Sequence, residues 1–133
     1  MTKKFLLSVV VVFVVAMAIG WVVHGLLLGQ DYAKLSGLFR PQQEQASLFW
    51  YIVLAHVLFA VAFVWIYVKG KEDRPFLMQG IRYGVALAVL VTIPIYLTYY
   101  AVQPLPGALV VKQIVFDTIG VIVLGVVVAW LNK

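Results

Sequence analysis

Residues 5–28 read FLLSVVVVFVVAMAIGWVVHGLLL, a run of 24 residues in which only Ser8 and His24 interrupt the apolar character. An α-helix rises about 1.5 Å per residue, so a run of this length crosses the roughly 30 Å hydrocarbon core of a bilayer. The helices of soluble domains carry a polar face, and this one has none. Lys3 and Lys4 precede it, and Ala16-Met17-Ala18 imitates the small-residue cleavage site of a signal peptide. The apolar run continues for ten residues past Ala18. It is therefore read as a retained first span.

Three further runs follow, over about 48–68, 80–102 and 108–131, each longer than the roughly 18 residues at which an apolar stretch is read as a spanning helix. The whole composition agrees. Of 133 residues, 65% are hydrophobic and 11% charged, against about 25% charged in an ordinary soluble domain. The expected architecture is all-α: a single integral membrane domain over 1–133, folded as a four-helix transmembrane bundle. Short links make consecutive spans antiparallel neighbours, which gives up-down topology.

Charge then sets the orientation. With the N-terminus inside, seven basic residues (Lys3, Lys4, Lys69, Lys71, Arg74, Arg82, Lys133) lie on the inner side and three (Lys34, Arg40, Lys112) on the outer. The positive-inside rule thus places both termini in the cytoplasm. The net charge of +5 forms no stripe that tracks phosphates, so nucleic acid is not an expected partner. The bilayer is, together with a homo-oligomeric copy or a larger membrane complex. The chain has no cysteine, which excludes disulfides, thiolate metal sites and covalent c-type haem.

The first loop, 29–47, is the only one with content. Asp31 is placed to cap a short interfacial helix in which Tyr32, Leu35, Leu38 and Phe39 share a face, ended at Arg40-Pro41 and followed by a wet stretch, Gln42 to Gln45. Gly20 with Ala16, and Gly80 with Gly84 and Ala88, form small-residue stripes of the kind that lets helices approach closely in lipid. Gly120 lies on the same stripe of span four as Gln113, Asp117 and Leu124. Pro94 is expected to kink span three and free the carbonyl of Leu90.

An ionisable group in hydrocarbon is costly and is a functional hypothesis by default. Arg82 snorkels from the inner end of span three. His24, His56 and Asp117 all fall in the outer half of the membrane, on spans one, two and four. Asp117, with Gln113 one turn before it, should face the bundle interior, where His24, His56, Tyr96, Tyr99, Tyr100 or Lys112 are available as partners. Three readings stay open: a buried network that fixes helix register, a polar cavity that binds a ligand or passes protons, and a b-type haem between His24 and His56. No motif of catalysis, phosphate binding or metal ligation is present. The expected function is therefore a non-enzymatic accessory or ligand-binding component, with an oligomeric proton-coupled transporter and a haem electron carrier as alternatives.

The stretch Gly20-Trp21-Val22-Val23-His24-Gly25-Leu26-Leu27-Leu28-Gly29-Gln30-Asp31-Tyr32 resembles the signature of small bacterial four-span proteins grouped as a domain of unknown function. Length and layout are similar too, so the resemblance covers most of the chain. That family has Tyr after the Trp and a Pro two residues later, where this sequence has Val22 and His24, so no role for His24 carries over. The resemblance implies a bacterial inner-membrane protein and supplies no activity.

Overall fold

The computed structural model describes residues 2–133. Its long helices are α1 (Lys3–Leu27), α4 (Phe49–Gly70), α5 (Phe76–Val102) and α6 (Gly107–Leu131), each long and apolar enough to cross a membrane. Two short helices, α2 (Gly29–Ala33) and α3 (Gln42–Ser47), lie in the first loop. The chain is a four-helix bundle, and the spans agree with the apolar runs to within a few residues.

Apolar side chains cover the outside as well as the core: Leu6, Val10, Val14, Val89, Leu90 and Ile119 are all exposed. In water such a belt would be unstable, whereas in lipid it is the solvated surface. Packing inside is carried by Val12 and Ala16 of α1, Ala60, Phe63 and Val64 of α4, and Leu124, Val128 and Ala129 of α6. The tightest pair is α5 with α6. A Cβ added to Gly80 would lie 2.6 Å from Val126 Cα, and one added to Gly84 2.4 Å from Ile122 Cα. The two backbones touch, which only glycine permits. On the other side of α6, Gly120 receives Ile19 of α1.

The two ends of the bundle differ. At the end that holds the second loop and both chain termini, Tyr83 of α5 donates its hydroxyl to the Phe63 carbonyl of α4 at 2.6 Å and packs on the rings of Phe63 and Tyr67. There too Asn132 donates to Ser8 Oγ at 3.1 Å, tying the end of α6 to the start of α1. At the first-loop end α4 stands off. Its buried residues, Ala60, Phe63, Val64 and Tyr67, all lie in its second half, and the first half buries none.

Two turns depart from α geometry. Trp21–Leu27 in α1 and Ala88–Thr92 in α5 are π-helical, with Leu28 N–H bonded to the Val23 carbonyl and Ile93 N–H to that of Ala88. Pro94 removes one backbone donor, and α5 meets the deficit by widening the turn before it. The first loop also differs from its sequence reading. Asp31 sits inside α2 instead of capping it, the helix ends at Ala33, and Gln42 to Gln45 are helical. Pro41 explains the start of α3, because its fixed φ suits the residue before a helix start and its missing N–H would have no partner there anyway.

Candidate functional site

The standing-off of α4 leaves a half-open cavity of about 880 Å3 at the first-loop end, lined by residues of all four spans. His24, His56 and Asp117 line it, with Thr92, Gln45 and an otherwise apolar wall that includes Trp21, Phe49 and Phe59. The glycines make the room: a Cβ on Gly20 would lie 3.7 Å from His56 Nε2.

A connected set of hydrogen bonds runs along the wall formed by α1, α2, α5 and α6. Gln113 donates from Nε2 to the Tyr32 hydroxyl at 3.1 Å, and that hydroxyl lies 2.7 Å from His24 Nδ1. His24 Nε2 is 3.2 Å from Asp117 Oδ1. The Tyr96 hydroxyl donates to Asp117 Oδ2. In the neutral form of the ring, Nε2 carries the proton and donates to the carboxylate, since two acceptors cannot face each other, and Nδ1 accepts the proton of Tyr32. Every polar atom in the series from Gln113 Nε2 to Tyr96 then has a partner of the right kind.

Helix spacing explains part of this assembly. Gln113 and Asp117 are one turn apart on the inward face of α6, and Gln113 is buried. Tyr96 lies just beyond the π turn of α5, which aims it across at Asp117. Tyr32 reaches His24 because Leu28, fully buried, turns the chain back over the end of α1. Burial of the Tyr32 phenol raises its pKa; the Gln113 hydrogen bond opposes the rise, and the carboxylates of Asp117 and Asp31 add to it. The electrostatic setting is thus one that resists a second negative charge.

Of the residues singled out in the sequence, His24, Tyr96, Gln113 and Asp117 come together in the network, and His56 faces the same cavity. Lys112 pairs instead with Asp31 at 3.3 Å, outside the network. Tyr99 is exposed on the surface of α5. Tyr32 and Asp31 were missed as site residues. The apolar spacing of Tyr32 with Leu35 and Phe39 read as a lipid-facing stripe, and its ring does meet Phe39 edge-on, while its hydroxyl turns inward to His24.

The two histidines are held differently. His24 has both ring nitrogens engaged. His56 uses Nδ1 alone, 2.8 Å from the Ile52 carbonyl one turn back. A carbonyl only accepts, so Nδ1 bears a proton, and when the ring is neutral Nε2 presents its lone pair to the cavity.

Comparison with known proteins gives no match to a family model, to a curated protein or to a solved structure. The functional reading rests on the site alone.

Proposed function

We propose that the protein is a non-enzymatic, ligand-binding component of a bacterial inner membrane. Its termini face the cytoplasm and its cavity opens toward the outer leaflet. One observation carries the reading: a cavity of about 880 Å3, largely apolar, into which three titratable side chains from three different spans converge. Sites for small molecules have this make-up, an apolar wall of roughly 300–1,000 Å3 with a few placed polar groups.

The test uses the full chain in lipid nanodiscs and three probes of similar size: tetraphenylphosphonium, tetraphenylborate and triphenylmethanol. Trp21 lines the cavity and its fluorescence reports occupancy. Saturable binding of at least one probe above that of empty nanodiscs, lost when Gly20→Phe fills the cavity, supports the reading. Partition alone for all three overturns it. Orientation is tested separately by C-terminal reporter fusions, with activity of a cytoplasmic reporter expected and activity of an exported one refuting it.

A second reading, proton-coupled transport by an oligomer, is favoured by the direct contact of a carboxylate with an imidazole on the cavity wall. It requires that Asp117→Asn abolish coupling in vesicles while the protein still inserts and folds. Unchanged coupled uptake in that variant refutes it.

A further inference from the structure

The chemistry of the cavity wall restricts its ligand, given that the cavity is a binding site at all. Asp117 is the one acidic residue in the lining, and no lysine or arginine lines it. The neighbouring charges cancel in pairs, Lys112 with Asp31 and, on the exposed loop, Arg40 with Glu44. His56, with its ring neutral, turns a lone pair inward. The lining thus holds one acid and no lysine or arginine, between the rings of Trp21, Phe49 and Phe59, whose faces attract cations.

The carboxylate has a countercharge only when His24 is protonated. In that state His24 Nδ1 becomes a donor to the Tyr32 oxygen, and Tyr32 must turn its own proton elsewhere. Gln113 Oε1, buried and without a hydrogen-bond partner, is placed to accept it once the amide rotates. The network thus has two self-consistent arrangements that differ by one proton on His24. In the neutral arrangement Asp117 stands unbalanced in a low-dielectric wall, a condition costly enough that a cation from the cavity would be drawn to it.

We infer that the cavity binds a monovalent organic cation with an apolar body, which takes over from the His24 proton as the countercharge of Asp117. The exchange balances as protonated His24 with anionic Asp117 plus the free cation, giving neutral His24 with anionic Asp117 and bound cation plus one released proton. The groups that face this pair are Tyr32 from the first loop, His56 from α4 and Tyr96 from α5, with the Lys112–Asp31 ion pair beyond them, outside the network.

The inference rests on the ligand-binding reading, and the three probes separate the two. Tetraphenylphosphonium is expected to bind saturably and at least about tenfold more tightly than its isosteric anion tetraphenylborate. Saturable binding of triphenylmethanol or tetraphenylborate without preference for the cation leaves the ligand-binding reading standing and overturns the inference. Saturation by none overturns both.

Asp117→Asn should weaken tetraphenylphosphonium at least about tenfold and leave triphenylmethanol within a factor of about two. The neutral probe also reports that the variant is folded. Should Asp117→Asn not insert, the wild-type protein decides the matter. In weak buffer, cation binding should acidify the medium, and its affinity should fall as the pH is lowered. His56→Gln should preserve the proton release, which assigns it to the pair of His24 and Asp117. Cation binding with no released proton at any pH, or release that vanishes with His56→Gln, overturns the exchange.

Discussion

Replacing Gly84 by Ala puts a methyl group where α6 already stands. The added carbon would lie 2.4 Å from Ile122 Cα, 2.9 Å from the Val121 carbonyl oxygen and 3.0 Å from Ile122 N. These are backbone atoms, so no rotamer change relieves them. The helices must part by about 1 Å to restore ordinary contact, and a radial gap of 0.5–1 Å forfeits roughly a quarter to a half of the dispersion energy of every atom pair it separates. The expected loss is about 1–3 kcal/mol, the range for overpacking a filled interior. The improved helix propensity of Ala, about 1 kcal/mol over Gly, offsets part of it. Gly37→Ala is the control, because no atom lies within 4 Å of the new carbon, and it should change stability by less than about 0.5 kcal/mol. Gly120→Ala falls between, since its obstacle at 2.8 Å is a side-chain methyl, Ile19 Cγ2, and not backbone. Reversible unfolding in mixed micelles of increasing SDS fraction measures all three. Equal midpoints for Gly84→Ala and Gly37→Ala would refute the claim that α5 and α6 meet backbone to backbone.

Burial holds the Tyr32 phenol protonated above its ordinary pKa of about 10, so stability should be constant below that pH and fall as the pH rises through it, where only the unfolded chain gives up the proton. Tyr32→Phe should show a shallower decline, and parallel pH curves for the two proteins would count against the placement of Tyr32. Asn132→Ala removes the donor to Ser8 Oγ and to the Val128 carbonyl and should cost about 1–2 kcal/mol; a double-mutant cycle with Ser8→Ala showing no coupling would contradict their contact. Protein purified from cells supplied with haem precursor should be colourless, because a bis-histidine haem would need His24 to release Asp117 or Tyr32. A reduced b-type α band lost in both His24→Ala and His56→Ala would establish haem instead.

The spans were legible because lipid acts uniformly on a sequence: length and the missing polar face decide them, residue by residue. The inward aim of Asp117 followed from the same physics, since a carboxylate facing hydrocarbon has no partner. The network around it was only half legible. Gln113 and Tyr96 were within reach by helical spacing, whereas Tyr32 depends on how Leu28 and the π turn before it redirect the chain, and periodicity carries no mark of a π turn. Lys112 illustrates the converse. Helical spacing sets it to one side of Asp117, five residues on, but its partner Asp31 comes from a loop whose path depends on contacts distant in sequence.

Both π turns lie beside the site. A membrane interior tolerates no unpaired backbone, and a π turn meets that demand by shifting each bond one residue along while admitting an extra residue into the turn. In α1 the shifted turn contains His24 and ends at Leu28, whose burial lets α2 fold back until Tyr32 reaches the imidazole. In α5 the shifted turn ends at Thr92 on the cavity wall, and Tyr96 follows it to meet Asp117. Regular helices would suffice to pack four spans, as the α5–α6 contact shows over Gly80 and Gly84, where the geometry is undisturbed. In α5 Pro94 already calls for the widened turn. In α1 no proline does, and the widened turn there is the one that holds His24 and leads the chain to Tyr32.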